Sequence, residues 1–253
     1  MIIIKNETQI QGIKKASVIA ANTLIYLEQF LHIGQDTETL NELAHKYIKS
    51  QNSIPAPLNY HGFPKSICTS INNVVCHGIP DKKDILKNGD IVNIDITVIY
   101  EGYFGDTSKT YIIGEADEDI KNFVKITEDS MYAGIKILKP GILLSEMGKT
   151  IEKFVEPFNY SVVKEYGGHG VGIRFHEEPH VCHFYTKSNN IKLQTGMIFT
   201  VEPMINKSKN WRVHTSSIDG WTVTTKDNSL SAQFEHTVLI TKDSYEILTL
   251  PNI

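Results

Sequence analysis

Asn88-Gly89-Asp90-Ile91-Val92-Asn93-Ile94-Asp95 and Thr195-Gly196-Met197-Ile198-Phe199-Thr200-Val201-Glu202 are two renderings of one phrase. Each has a turn glycine, a β-branched or aromatic run, and a carboxylate at the end of that run. A negative charge at the end of an apolar strand is destabilising unless something compensates it, and a metal is the most economical compensation. The shared phrase implies an internal duplication. Two copies packed into one body would bring their carboxylates together near a pseudo-twofold axis.

The surrounding pattern agrees with a repeat. Apolar residues Ile10, Ile13, Ala16, Ala20, Leu24, Leu27 and Leu31 recur at helical spacing, so a helix is expected over 8–31 with Thr8 as its cap. A second helix is expected over 37–51, starting at Thr37. Extended pieces near 67–71 and 74–76 lead to strands over 91–99 and 104–113, joined across Tyr100-Glu101-Gly102. The order then restarts, with helices near 117–138 and 143–157 and extended pieces near 161–165 and 180–183. Strands follow over 197–205, 234–240 and 245–249. The expected fold is α+β: one catalytic domain over 1–253, with half-repeats about 8–115 and 116–253. Two helix pairs would cover a curved antiparallel sheet.

Composition narrows the function. Of 253 residues, 41% are apolar and 21% charged, as in folded globular chains. The net charge of -4 and the lack of a basic stripe argue against a nuclease or phosphatase acting on polyanions. Three widely spaced cysteines, with no CxxC, favour free thiols in a reducing compartment. The chain start lacks the pattern of a secretion signal, and no run of 18 apolar residues occurs. A cytoplasmic protein is expected.

Five side chains are candidate ligands for a two-metal site: Asp95, Asp106, His169, Glu202 and Glu235. Asp95 and Asp106 fall on successive strands, opposite or diagonal, where cross-strand Cβ atoms are ~5 Å apart. Without a cation, such a pair would repel and one member would take up a proton. The alternative for Asp106 is a plain turn cap. His169 stands among four glycines in Gly167-Gly168-His169-Gly170-Val171-Gly172, as though the backbone must turn tightly and leave room for a ligand. Glu202 precedes Pro203, and Glu235 begins an apolar strand. One of these glutamates is expected to bridge both metals. Four carboxylates and one imidazole argue against a structural zinc cage and suit manganese, iron, cobalt or zinc as divalent ions. His77 and His176 remain open between further ligands, ordinary polar groups, and hydrogen-bond donors to substrate.

In combination, seven phrases resemble those of the type I methionine aminopeptidases, the short bacterial kind. They are Asn72 to Pro80, Asp95-Ile96-Thr97, Gly105-Asp106-Thr107, Gly167 to Gly172, Phe175-His176-Glu177, Thr200-Val201-Glu202-Pro203 and Ser231 to Thr237. The resemblance runs from the first helix to the last strand. It implies a pita-bread fold with internal pseudo-twofold symmetry, and a hydrolase that removes the initiator methionine from nascent chains with a small second residue. The five residues above would hold two divalent ions, whose bridging hydroxide attacks the first peptide bond, with Glu202 as base. His77 would contact the substrate backbone, and His176 would bind the carbonyl oxygen. Tyr60, Phe63, Cys68, Phe175 and Trp221 would line the methionine pocket. Phe63 departs from the tyrosine expected at that place in some relatives. Asn72, Val74 and Ser231 would hold a monovalent cation. The resemblance also implies peptides with a free N-terminal methionine as partners, transient ribosome contact and a monomer. It implies no nucleic-acid specificity, no membrane, and no zinc-binding extension before the core.

Overall fold

A computed structural model describes residues 1–251. Helices α1 (Glu7–Glu28) and α2 (Thr37–Ser50) open the chain. Strands β1 (Ile54–Pro55), β2 (Cys68–Ile71), β3 (Val74–Cys76), β4 (Ile91–Tyr100) and β5 (Tyr103–Ile112) follow. After helices α3 (Glu118–Lys136) and α4 (Leu144–Val155) come β6 (Ser161–Val162), β7 (Gly168–Gly170) and β8 (Glu177–Val181). Then come β9 (Ile198–Val201), β10 (Met204–Asn206), β11 (Val213–Thr215) and β12 (Val223–Thr225). The last strands are β13 (Ser231–Gln233), β14 (His236–Ile240) and β15 (Tyr245–Ile247).

Helix α1 starts one residue before the expected cap, and α2 starts at Thr37 as expected. Asn6, not Thr8, caps α1: its Oδ1 accepts from Gln9 N, and Gln9 Oε1 accepts from Asn6 N, a reciprocal pair. Asp36, not Thr37, caps α2 by accepting from Thr39 N at 2.8 Å. Each helix pair covers one region of sheet. Ala16, Ala20, Leu24 and Leu27 of α1 pack with Leu40, Ala44 and Ile48 of α2 on Val92, Ile94, Ile96 and Val98 of β4. Phe123, Met131 and Ile135 of α3, with Met147 and Ile151 of α4, pack on Phe199, Val201, Ile205 and Val238.

Among the described residues every strand ladder is antiparallel, and the hydrogen bonds divide the strands into four sheets. The β4–β5 hairpin turns through Glu101 (φ 50) and Gly102 (φ 83), a two-residue loop with both φ values positive, which suits the twist of paired strands. Strand β5 meets β13 and β14 along a seam. There Glu235 N donates to Ser108 O at 3.0 Å. Three threonine hydroxyls add bonds: Thr107 to Glu235 O, Thr110 to Gln233 O and Thr237 to Asp106 O. The seam thereby holds the Asp106 backbone against that of Glu235.

Several expected elements are rearranged. The strand expected over 197–205 is two strands in different sheets, β9 and β10, because the chain leaves the ladder at Glu202 and Pro203 offers no N–H. The strand expected over 234–240 begins only at His236, as β14, so Glu235 lies in the gap between β13 and β14 instead of starting a strand. The β11–β12 hairpin has no counterpart in the sequence expectations, since Val213-His214-Thr215 carries too little apolar alternation to announce a strand. The glycines at 167–170 are not a tight turn. His169 is in the middle of β7, which runs between β8 and β9. A Cβ on Gly168 would stand 2.5 Å from Thr200 O, so that glycine permits close strand approach.

Candidate metal centre

Strand alternation explains which side chains converge. On β4, residues of one parity feed the helix-covered core, and Asn93, Asp95 and Thr97 take the other face. Asp95 pairs with Ser108 and Thr97 with Asp106, so Asp95 and Asp106 are diagonal neighbours. Asp106 is in mid-strand, which removes the turn-cap reading. Glu235 reaches the same place across the seam. Carboxylate oxygens of Asp95, Asp106 and Glu235 lie within 4.8 Å of one another. From the other side, His169 Nε2 stands 3.6 Å from Asp106 Oδ2 and 3.7 Å from Glu202 Oε1.

The electrostatics of this cluster are unfavourable as protein alone. Burial lifts Asp95 to about 7 and Glu202 to about 8. Asp106 and Glu235 rise well above the carboxylate range through burial and then their acidic neighbours. Among the described residues, no lysine or arginine pairs with any of the four. Burial pushes His169 down to about 3, so its ring is neutral. Its Nδ1 lies 3.0 Å from Gly170 O and must donate to that carbonyl. Nε2 therefore presents a lone pair to carboxylate oxygens. Lone pair facing lone pair, at these distances and out of water, is the arrangement that divalent cations relieve. The donor set of four carboxylates and one imidazole fits two such ions, which makes the cluster a candidate dinuclear metal site.

Neighbouring groups hold the carboxylates in place. Thr97 Oγ1 donates to Asp106 Oδ1 at 2.7 Å, and Thr200 Oγ1 donates to Glu202 Oε1 at 2.6 Å. Gln233 Nε2 donates to Glu202 Oε2 at 3.1 Å, and Glu202 N donates to His183 Nε2 at 3.0 Å. None of these four supports was singled out from sequence. A signal existed for three. Thr97, Thr200 and Gln233 each lie two residues from an acidic candidate, the spacing that puts two side chains on one face of an extended run. His183 had no such signal.

The cluster forms the floor of a cavity of about 670 Å³. Tyr60, Phe63, Cys68, Phe175 and Trp221 all line it, as do His77 and His176. Phe63 meets Trp221 edge-on at 5.2 Å, Tyr60 meets Phe175 at 4.7 Å, and Phe175 stacks on His176 at 4.4 Å. Met204 and Tyr166 also face it and were missed. The Cys68 thiol is pushed well up by burial and then by Asp95, which keeps it protonated. Burial lowers His77, and burial with His77 and His61 lowers His176 to about 4.

The loop carrying Phe175 and His176 is anchored by Glu177. Its Oε1 accepts from Ile173 N and Arg174 N, and its Oε2 pairs with buried Lys5 at 2.6 Å. The expected monovalent-cation residues lie elsewhere. Asn72 O accepts from Ser231 N at 2.9 Å, so those two are adjacent, and Val74 begins β3 close by in sequence. Asn72 Oδ1 already accepts from Ile91 N.

Residues 11–242 match metallopeptidase family M24. The chain belongs to that family. It is 50% identical over 247 residues to a methionine aminopeptidase of Rickettsia prowazekii, covering 98% of this chain and 95% of that protein. The crystal structure of methionine aminopeptidase from Rickettsia prowazekii superposes with a TM-score of 0.96, covering 99% of this chain and all of that one. That from Thermotoga maritima, 38% identical, gives 0.95 with 98% and 99% covered. These likenesses agree with the α+β pita-bread architecture read from the sequence.

Proposed function

We infer that this protein is a metal-dependent aminopeptidase that removes N-terminal methionine from peptides, with a preference for a small second residue. The observation that carries the reading is the neutral His169 turning a bare nitrogen on a buried acidic cluster at the floor of an aromatic-walled cavity. Asp95, Asp106, His169, Glu202 and Glu235 would hold two divalent ions. When bound, such ions acidify water and polarise a scissile carbonyl. The remaining work falls to the chain. A free amino terminus would be taken at that site as a neutral amine, which an internal or blocked peptide cannot offer. Tyr60, Phe63, Cys68, Phe175 and Trp221 enclose an unbranched thioether, and sulfur–ring contacts add ~0.3–1.5 kcal/mol each. Glu202 accepts a proton from the attacking water and passes it towards the departing amine. His176 donates to the oxygen that gains charge, and His77 orients the amide of the second residue.

We also propose one catalytic domain of two half-repeats, acting as a monomer in the cytoplasm. Three free buried cysteines support a reducing compartment, and among the described residues no helix is long and apolar enough to cross a membrane. Transient ribosome contact, which the resemblance to the type I methionine aminopeptidases implies, belongs to the same reading. Salt-sensitive co-sedimentation with ribosomes would test it. A monovalent ion at Asn72, Val74 and Ser231 belongs to the same proposal.

The deciding experiment measures free methionine released from Met-Ala-Ser, alongside metal identity and stoichiometry on gently purified protein. Release that vanishes on chelation and returns with manganese, iron, cobalt or zinc is the expected result, with Met-Leu-Ser resisting. Undiminished release by metal-stripped protein would overturn the reading.

A further inference from the structure

We propose that Tyr60 is a positioning residue that fixes the tautomer of His176, by donating its phenol proton to Nδ1 and so leaving the ring's own proton on Nε2. The proposal rests on the function inferred above, in which His176 acts as a donor to substrate.

Tyr60 Oη lies 2.8 Å from His176 Nδ1. A neutral imidazole has one donor nitrogen and one acceptor nitrogen, and the partners decide which is which. Among the described residues the Tyr60 hydroxyl has no other hydrogen-bond partner. If Nδ1 carried the proton, the phenol would have to act as acceptor, and its oxygen is a far weaker base than an imidazole nitrogen. A phenol is also a far stronger donor than a neutral imidazole N–H. Both considerations place the ring proton on Nε2. That is the only nitrogen left to meet a substrate oxygen, so the hydrogen bond to Tyr60 makes His176 a donor there instead of an acceptor.

The rings around His176 hold its plane. Phe175 stacks on it at 4.4 Å with an interplanar angle of 18°, and the His169 ring sits 4.2 Å away. Tyr60 itself is presented by a strained turn. Asn59 (φ 67) and His61 (φ 47) both adopt the left-handed region, and Gly62 follows at φ 88. Asn59 N donates to Phe63 O and Phe63 N to Tyr60 O, which closes the turn. Two disfavoured residues flanking one tyrosine persist only where the surroundings over-determine them, and such strain gathers at functional sites. A wall of the methionine pocket does not need a hydroxyl. Phe63 has none, and it is buried against Trp221.

The test is Tyr60→Phe, which keeps the ring and removes the hydroxyl. With Met-Ala-Ser, kcat is expected to fall about 10-fold, the lower end for losing a group that orients a working histidine, while KM and metal content stay within twofold. Nitrogen-15 spectra of the zinc-loaded enzyme, labelled at histidine, should show His176 as the Nε2–H form. In Tyr60→Phe they should show a mixture of forms. In the background of His176→Ala, adding Tyr60→Phe should cost nothing further. A wild-type spectrum of the Nδ1–H form, unchanged kcat in Tyr60→Phe, or multiplying losses in the double variant would each overturn the proposal. Should the wild-type enzyme release no methionine, the functional reading alone falls, and the nitrogen spectrum still decides the tautomer.

Discussion

Asp95 and Asp106 stand inside two unbroken ten-residue strands, whereas Glu202 and Glu235 occupy gaps where one short strand ends and another begins. The turns that launch the two copies of the shared phrase are nonetheless alike. Gly89 has φ 83 and donates to Ile113 O; Gly196 has φ 87 and donates to Ile240 O. Ile113 N returns a bond to Asp90 O, as Ile240 N does to Met197 O. The backbone pattern is therefore held at the start of each run and released at its end. Chain length fits the difference: the shorter acid is placed by the regular pleat, and the longer one reaches in from an irregular stretch. Each half also supplies a threonine hydroxyl to a carboxylate, Thr97 in the first and Thr200 in the second.

Five measurements would break or sharpen this comparison. The largest effect is expected from Asp106→Ala or Glu202→Ala. Loss of an acid from either half should remove bound metal and lower turnover by more than about 10³-fold. Full hydrolysis by metal-depleted Asp106→Ala would show that the two halves do not share one site. His176→Ala comes next, with kcat down about 10²–10³-fold and metal content kept. A collapse of metal content to the level of Asp106→Ala would make His176 a ligand.

Thr97→Val and Thr200→Val should each weaken metal affinity about 10- to 100-fold, as for other partners that orient ligands. Titration of the stripped variants with cobalt measures this, and a large effect in only one half would break the symmetry of support. The fourth effect concerns pH in the metal-stripped protein. Asp95 at about 7 and Glu202 at about 8 lie above their unfolded values of about 4, so the folded form holds more protons and loses stability as pH rises. His169 at about 3 and His236 at about 4 act in the opposite sense, but only below their unfolded value of about 6.5. Between pH 6.5 and 8 the carboxylates dominate, and urea unfolding should show a loss of about 2 kcal/mol or more, to which Asp106 and Glu235 add in the same sense. Saturating metal should remove that slope. If it persists, the cluster is not where the ions bind.

The smallest effect separates the two launching turns. Alanine at either glycine must adopt a left-handed conformation, at a cost of about 1–2 kcal/mol. At Gly196 the new methyl would also approach Ile4 at 2.8 Å, while at Gly89 its nearest neighbour is Glu115 O at 3.5 Å. Gly196→Ala should be the less stable variant by about 1 kcal/mol. Equal losses would mean that the Ile4–Lys5 segment yields freely.

Much of this was legible in the chain because strands alternate and charge is costly in an apolar run. Asp95 and Asp106 announced themselves that way, and the first helix pair by its periodic alanines and leucines. The breaks at Glu202 and Phe234–Glu235 were not, since local apolar pattern continues through them and only the transfer to another sheet ends the ladder. His169 was recognised for its glycines but assigned the wrong local structure. The glycines answer neighbouring backbones that only the tertiary fold supplies. Lys5 and Glu177, 172 positions apart, carry nothing in sequence that pairs them.

The reversal at Glu101 and Gly102 has a consequence far from where it sits. Because it counts out two residues and no more, it clocks one arm of the hairpin against the other. An insertion of a single amino acid there would slide Asp106 by one step and turn its side chain away from Asp95. This solvent-exposed tip is thus the ruler for the spacing between two buried acids.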